Sequence, residues 1–188
     1  MSTRGIIIRD YRRSDEGAVN ALAVKAFEQY QSMYEDWPGF RARLENMSTI
    51  AESGELVVAE VDGTLAGAVG YIAPFRPKAD YFEPEWPIMR MLVVDPAMRG
   101  RGVGRTLARE CLARARRDGA TEFALHTSPI MEVALPMYLR MGFRRRRSAP
   151  LIHGVDYDVY VLSLTSEGMV REDYPPVSLF SMRGRDKA

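Results

Sequence analysis

The chain has 188 residues, of which 46% are hydrophobic and 27% charged, a composition typical of one folded globular domain. Its 26 Lys and Arg residues nearly balance its 25 Asp and Glu residues, so a generally basic nucleic-acid-binding protein is not expected. A single cysteine, Cys111, excludes an internal disulfide, and only two histidines leave little for a metal site, so none is expected.

The sequence contains no run of about 18 apolar residues of the kind that crosses a membrane. The apolar stretch near the start, Ile6 to Ile8, is too short for a signal peptide. We therefore expect no membrane span and no membrane partner, and a cytoplasmic location.

Hydrophobic periodicity and turn residues predict strands and helices in alternating groups. The predicted strands span residues 5–11, 55–60, 65–73, 88–94, 121–126, 143–148 and 155–164. The predicted helices begin near residues 14, 36 and 102, with a short one within 130–141, and the second is expected to end at Ser53-Gly54. Asp62-Gly63 predicts a tight hairpin, and a loop with four prolines spans 74–87. Because strands outnumber helices and are partly consecutive, the pattern favours an α+β fold over a doubly wound one.

The most informative segment runs from Met91 to Leu107, where an apolar strand leads through a glycine-rich turn into a helix. The turn contains Gly100, Gly102 and Gly104. The same turn carries Arg99, Arg101 and Arg105. Glycines let the backbone approach a pyrophosphate closely, and the free amides of a helix N-terminus bind anions. The spacing matches neither the P-loop nor the dinucleotide fingerprint, and a tight turn with solvated arginines is the alternative interpretation.

Two motifs together resemble one known family. Arg99-x-x-Gly102-x-Gly104 matches the Q/R-x-x-G-x-G/A signature of the GCN5-related N-acetyltransferase (GNAT) superfamily, and it follows a Val-Asp-Pro strand end. Downstream, Ala134-x-x-x-Tyr138-x-x-x-Gly142-Phe143 resembles a second element of that family. The resemblance covers residues 6 to about 164. It implies a mixed, mostly antiparallel central sheet with flanking helices and a splayed strand pair that admits acetyl-CoA.

By this resemblance, acetyl-CoA is the expected cofactor. The backbone of the strand would bind the pantetheine arm, and the turn and helix start would bind the pyrophosphate. The implied cofactor-binding residues are Met91, Leu92, Val93, Val94, Arg99, Gly100, Arg101, Gly102, Val103, Gly104 and Arg105.

The resemblance also implies that Tyr138 is the general acid that protonates the departing CoA thiolate. A phenol with a pKa of about 10 suits that step. The alternative for Tyr138 is a packed helix aromatic whose hydroxyl is satisfied locally.

The general base is left open between two catalytic candidates, Glu85 and His126. Many relatives carry a glutamate on the strand before Val-Asp-Pro, but here Arg90 occupies one such position and Ile88 another. Glu85, like Glu83, also fits a solvated loop carboxylate. His126 has an ordinary pKa of about 6.5 that suits a base, and it equally fits a structural histidine.

Two further departures from the family pattern concern the second motif. Met131 stands where relatives often have an asparagine that contacts the cofactor. Pro136 lies inside the predicted helix, so we expect a kink or restart near Leu135, with Tyr138 on the short piece after it.

The acceptor side and the charge clusters permit several interpretations. Acidic and aromatic residues between Glu28 and Trp37 would suit a cationic amine, or else they are solvated acids and core rings. Rings of the proline-rich loop would form a second wall or pack on the sheet. The arginine run from Arg144 to Arg147 fits solvated side chains or CoA phosphate contacts better than nucleic acid.

The sequence therefore predicts an acetyl-CoA-dependent N-acetyltransferase whose acceptor is a small-molecule or peptide amine. The alternatives are transfer of another acyl group, O-acetylation, a catalytically silent acyl-CoA-binding or regulatory domain, and a protein-interaction module. We expect residues 1–166 to form the domain, 167–188 to be a loosely packed or disordered tail, and the protein to be a monomer or homodimer.

Overall fold

Residues 5–165 are described by the computed structural model of the chain. They form one open sheet of seven strands in the order β1-β2-β3-β4-β5-β7-β6, flanked by helices. The strands are β1 (Ile7–Asp10), β2 (Glu55–Val61), β3 (Thr64–Ile72), β4 (Ile88–Val94), β5 (Glu122–Thr127), β6 (Arg144–Ile152) and β7 (Val155–Ser163). The helices are α1 (Glu16–Phe27), α2 (Trp37–Leu44), α3 (Ile50–Ser53), α4 (Val103–Arg117) and α5 (Ala134–Arg140). The predicted tail at 167–188 lies outside the described residues.

The sheet is antiparallel at every described pairing except that of β4 with β5, which is parallel. This mixed, mostly antiparallel arrangement confirms the predicted fold class. The Asp62-Gly63 hairpin is also confirmed, because both residues have positive φ angles, 54° and 75°, as a type I′ turn requires.

Helices cover both faces of the sheet. Along β2, Leu56 and Val58 pack into one core with α1 and α2, whereas Val57 and Ala59 pack into a second core with α4. Strands buried on both faces are apolar without alternation, which explains the continuous apolar run of β2. None of the helices within residues 5–165 is long and apolar enough to span a membrane.

The second predicted helix is shorter than expected. It ends at Leu44, and a 3₁₀ turn at Met47–Thr49 separates it from the single turn of α3. Asn46 donates a side-chain hydrogen bond of 2.8 Å to the carbonyl oxygen of Ala42. Such a side-chain bond competes with the helical backbone pattern, which accounts for the break.

Pro136 causes no kink. The structure starts α5 at Ala134, so Pro136 lies in the first turn, where its missing N–H would have no intrahelical partner. Of the two expected forms, the restart near Leu135 is confirmed to within one residue, because a short helix that contains Tyr138 begins at Ala134.

Candidate active site

The parallel strands β4 and β5 separate immediately after they meet. Ile88 opposite Ala124 is their single registered pair, and the amide of Ala124 donates to the carbonyl oxygen of Pro87 over 3.0 Å. Beyond this point the two strands diverge and leave a gap in the middle of the sheet. Backbone groups along the gap are therefore available to a ligand rather than to a neighbouring strand.

A β-bulge on β4 lies beside this gap. Ala68 of β3 faces Val93 and Gly70 faces Arg90, so Met91 and Leu92 together oppose one residue of β3. Met91 has a φ of 57°, a conformation that costs free energy in a residue with a side chain. Bulges of this kind redirect side chains next to binding sites.

Two cavities adjoin at the gap. The inner pocket, of about 80 Å³, lies between the diverging strands and the first helices. Its described lining consists of Phe27, Phe40, Arg43, Met89, Arg90, Met91, Leu92, Leu125, His126, Thr127, Met131, Ala134, Tyr138, Ile152 and Tyr157. This lining contains two arginines and no Asp or Glu.

The outer cleft, of about 620 Å³, continues from the inner pocket along β4 to the start of α4. The two cavities share Phe27, Leu92, Met131 and Ala134. The other described lining residues of the outer cleft are Ala26, Tyr30, Val93, Val94, Met98, Arg99, Gly100, Gly102, Val103, Gly104, Arg105, Val133, Met137, Arg140 and Met141. A long groove with three arginines and no carboxylate in its described lining suits an extended anionic ligand.

The glycine-rich turn closes the outer cleft with unpaired backbone amides. The N–H groups of residues 100–105 donate no hydrogen bond to a described residue, and the first helical bond runs from Thr106 to the Gly102 carbonyl over 3.0 Å. Gly100 and Gly102 have φ angles of 74° and 84°, which disfavour residues with a side chain. These free amides at the positive end of α4 fit the phosphates of a nucleotide-like cofactor.

Two side-chain contacts hold the end of β4 and the start of the glycine-rich turn against α1 and the 3₁₀ helix that follows it, Glu28–Met33. Lys25 pairs with Asp95 over 2.8 Å, and the guanidinium of Arg99 donates to the Gln29 amide oxygen over 2.8 Å. The Asp95 carboxylate also accepts from the amide of Ala97. The Val-Asp-Pro strand end thus fixes the loop that precedes the cradle of free amides.

Tyr138 lines the inner pocket from α5 and is 5% exposed. A Schellman motif ends this helix: the amide of Phe143 donates to the Tyr138 carbonyl over 3.1 Å, and Gly142 has a φ of 98°. The motif folds the Phe143 ring edge-on against the Tyr138 ring, with centroids 5.8 Å apart. The spacing Tyr-x-x-x-Gly-Phe therefore fixes the orientation of the tyrosine.

The Tyr138 hydroxyl donates to no described residue. Every fully buried side-chain nitrogen or oxygen within the described range has a partner, so this hydroxyl reaches accessible space. Burial raises the pKa of Tyr138 above its ordinary value of 10, so the hydroxyl keeps its proton at neutral pH.

These motifs and this sheet find a direct counterpart in a family model. The model of the Acetyltransferase (GNAT) family matches residues 16–143, about two thirds of the chain. The chain belongs to the GNAT family of acetyltransferases. The resemblance that the two sequence motifs indicated is thereby confirmed.

Relatives of this GNAT chain agree with the match. The L-2,4-diaminobutyric acid acetyltransferase of Nocardia farcinica is 30% identical over 128 residues, which cover 68% of this chain. The chain spans 58% of that relative's length and 38% of a second curated relative's.

Solved structures share the fold. A GCN5-related N-acetyltransferase from Rhodopseudomonas palustris superposes with a TM-score of 0.69 at 20% identity, covering 87% of this chain and 99% of its own. The acetyltransferase yncA from Salmonella typhimurium, solved with its cofactor acetyl-CoA, gives a TM-score of 0.61 at 19% identity, covering 86% and 95%.

The GNAT structure brings most of the predicted cofactor residues to the outer cleft. Two differ: Met91 lines the inner pocket, and Arg101 lines neither cavity, since its exposed guanidinium contacts the Met98 sulfur at 3.1 Å. Arg140 and Met137 also line the cleft from α5. Neither was among the implied cofactor-binding residues, although Arg140 lies near the arginine run for which CoA phosphate contacts were one interpretation, so Met137 is the residue that the sequence did not indicate. The arginine run from Arg144 to Arg147 pointed to Arg140, because both add to the positive charge of the glycine-rich turn.

The two candidate bases have different positions in this GNAT chain. His126 lines the inner pocket, where its Nδ1 lies 2.8 Å from the Tyr81 hydroxyl and its ring packs against Tyr81, Phe82 and Tyr157. Burial, followed by Arg90 and Arg43, lowers the pKa of His126 to about 4. Glu85 is exposed and lines neither cavity. The structure therefore separates Glu85 from the gap between the strands.

Of the acidic residues between Glu28 and Trp37, for which an acceptor site was one of two interpretations, Asp36 stabilises the fold. Asp36 caps α2 by accepting from the Gly39 amide and pairs with His153 over 2.8 Å, and both bonds lower the pKa of Asp36. The buried Tyr34 hydroxyl lies 2.6 Å from that of Tyr157. The expectation of an acidic acceptor site is wrong for the inner pocket, whose described charges are both arginines.

The aromatic rings of the proline-rich loop pack on the sheet, which was one of the two interpretations of this loop. Phe82 and Trp86 are buried, and the Trp86 indole donates to Glu122 over 2.9 Å. In the arginine run, Arg145 pairs with Asp158 and Arg147 with Glu83. Half of the run is therefore engaged in ion pairs within the domain.

Proposed function

We propose that this protein transfers an acetyl group from acetyl-CoA to an amine. The observation that carries the proposal is the row of free backbone amides at residues 100–105, at the end of a cleft that leads into the gap between β4 and β5. The GNAT family match and the acetyl-CoA complex of yncA support this assignment.

Residues of the outer cleft would hold the cofactor. The amides of residues 100–105 would bind its pyrophosphate, assisted by the guanidinium of Arg105, while backbone groups of Leu92 and Val94, which line the outer cleft, would bind its amide-bearing arm. When bound, acetyl-CoA supplies an acyl group activated as a thioester, which a neutral amine can attack directly.

Tyr138 is the residue we propose as general acid. Its hydroxyl proton, retained at neutral pH because burial raises the pKa of Tyr138, would pass to the departing thiolate. A thiolate and a phenol of similar basicity exchange a proton without a large barrier.

The amine would lose its proton without the glutamate base that many relatives carry. The described lining of the inner pocket has no carboxylate, and His126 is neutral because its pKa is lowered to about 4. The positive field of Arg43 and Arg90 lowers the pKa of an amine bound beside them. We propose that the amine reacts as the free base and that neutral His126 positions it. The proton that the nitrogen loses as the new amide forms would restore the Tyr138 hydroxyl after that hydroxyl has protonated the thiolate, so the products are the amide and the CoA thiol.

The test is a CoA-release assay with acetyl-CoA and a panel of amines, comparing wild type with Tyr138→Phe. Loss of the proton donor should lower kcat by about 10²- to 10⁴-fold while CoA still binds. Tyr160→Phe is the matched control, because Tyr160 is a buried tyrosine of β7 that lines neither cavity, and it should keep wild-type kcat.

Three outcomes contradict parts of the proposal. Failure of acetyl-CoA and CoA to bind would remove the cofactor assignment. Binding without turnover of any amine would favour the catalytically silent domain. Full turnover by Tyr138→Phe, with chemistry shown to be rate-limiting, would remove the general acid assignment.

A further inference from the structure

Two arginines from different elements meet in the inner pocket without a counter-charge. Arg90 lies on β4 beside the bulge, and Arg43 lies near the end of α2. Neither guanidinium forms an ion pair or a side-chain hydrogen bond with any residue between 5 and 165, whereas Arg9, Arg114 and Arg117 are each paired with carboxylates.

The lack of a partner is costly for Arg90, which is only partly exposed. Burial and the nearby charge of Arg43 both lower the pKa of Arg90, and Tyr81 is the one group nearby that raises it. A partly buried guanidinium without an acceptor loses hydration that no hydrogen bond replaces. Arg43 is exposed, but its charge faces the same pocket, so an anion that enters would be attracted by both arginines and would supply the acceptor that Arg90 lacks.

We infer that Arg43 and Arg90 bind a carboxylate of the acceptor, so that the acceptor is an amino acid or another amine with a carboxylate a few bonds from its nitrogen. This inference rests on the proposed acetyl transfer, since it identifies the substrate class of the same site. Guanidinium groups suit a carboxylate because their planar donors match its two oxygens.

The rest of the inner pocket agrees with a small amphipathic acceptor. Its free volume is about 80 Å³, and Phe27, Phe40 and Met131 line its apolar side. The free nitrogen of the neutral His126 ring, whose Nδ1 already contacts Tyr81, is left for the amine. A cationic amine without a carboxylate would meet two positive charges and no negative one, so the pocket selects against it.

The substrate side of the test uses matched pairs in the CoA-release assay. Each of the twenty standard L-amino acids is compared with its α-carboxamide, which keeps the amine and side chain but lacks the negative charge of the α-carboxylate. The preferred amino acid should exceed its amide in kcat/KM by about tenfold or more, as expected for losing a charge-assisted contact. Its phosphonate analogue should be poorer than the carboxylate; equal or better turnover would assign a general anion site instead.

The protein side uses Arg43→Gln and Arg90→Gln. Each should raise KM for the amino acid about tenfold or more and leave KM for the amide unchanged or lower, because the amide has no α-carboxylate to lose and meets one positive charge fewer. General misfolding does not produce such a split. Arg90→Lys should restore part of the preference, because it keeps the charge without the planar fork. Arg146→Gln is the control: Arg146 is exposed on β6, has no ion pair within the described residues and lines neither cavity.

A binding measurement separates this inference from the proposed function. Calorimetry measures the binding of N-acetyl amino acids, and of the N-acetyl derivatives of their amides, to the protein in the presence of CoA. These compounds are the products of the proposed reaction, so the measurement needs no turnover. Loss of CoA binding itself would count against the proposed function. Intact CoA binding with equal affinity for the acid and the amide, or equal loss of both in Arg90→Gln, would overturn the carboxylate site.

Discussion

At the scale of single residues, His126 shows how surroundings change the chemistry of a side chain. Its ring lies among Tyr81, Phe82 and Tyr157, and the nearby charges are the arginines of α2 and β4. Each influence disfavours the imidazolium. The side chain type and its position at the end of β5 were apparent from the sequence, but the lowered pKa arises from residues that only the fold brings together.

The first prediction is that His126 makes the protein sensitive to acid. The pKa is 6.5 without the folded surroundings and about 4 within them, so between these values the unfolded chain binds a proton that the folded chain does not. The free energy of unfolding should therefore decrease as the pH falls, by about 2 kcal/mol between pH 7.5 and 5. Urea unfolding at the two pH values measures the decrease.

The matched variants are His126→Asn and His153→Asn. Asparagine at 126 keeps a polar group near the Tyr81 hydroxyl but cannot titrate. On acidification, the free energy of unfolding of this variant should therefore decrease by about 2 kcal/mol less than that of the wild type. His153 lies outside the inner pocket, beside Asp36, and its substitution should leave the His126 contribution in place. An unchanged acid response in His126→Asn would show that the pKa of His126 is not lowered.

At the scale of elements, close packing of α4 on the sheet supports the glycine-rich turn. A Cβ atom at Gly67 of β3 would lie 2.8 Å from side-chain atoms of both Leu107 and Val103, and 3.0 Å from the Val93 carbonyl oxygen. Only glycine allows the first turns of α4 to approach this strand, and the same turns present the free amides to the outer cleft. The helix was predictable from its periodicity, but its distance from β3 was not.

The second prediction concerns Gly67→Ala. The added methyl group must displace α4 or β3, so the free energy of unfolding should decrease by about 1–3 kcal/mol, and CoA should bind more weakly because the cradle of amides moves. Gly17→Ala is the control, since a Cβ there meets no atom within 4 Å and alanine favours the α1 helix by up to about 1 kcal/mol. Urea unfolding and calorimetry of CoA test both changes; wild-type values for Gly67→Ala would show that the packing is looser than described.

At the scale of the whole molecule, the sequence predicted the strands, the helix starts and the glycine-rich turn far better than the lining of the inner pocket. A helix start or a hairpin depends on residues that are neighbours in the chain, so the sequence alone can predict it. Gly102 is an example, because its positive φ angle belongs to the turn that it forms with adjacent residues. By contrast, Arg43 and Arg90 come from distant parts of the chain, and their meeting depends on α2 packing across the splayed strands. The near-zero net charge of the chain hides this arrangement, since carboxylates outside the two cavities offset the arginines that line them.

The third prediction follows from the concentration of arginines in the lining of the outer cleft. Arg99, Arg105 and Arg140 line the outer cleft without a carboxylate in its described lining, so part of the CoA affinity should come from exposed charges that salt screens. At a free concentration one hundred times its Kd in 0.05 M salt, CoA should stabilise the fold by about 2.7 kcal/mol. For a chain of this size, that corresponds to a rise in Tm of roughly 5–10 °C.

The same CoA concentration in 0.5 M salt should give a clearly smaller rise in Tm, because a higher Kd reduces the mass-action term. Pantetheine, which lacks the phosphates, is the matched ligand: any stabilisation that it gives should be nearly independent of salt. Arg140→Gln should reduce the salt dependence for CoA, while Arg101→Gln should not, since Arg101 lies outside the outer cleft. Equal salt dependence for CoA and pantetheine would mean that the arginines of the cleft do not contact the phosphates.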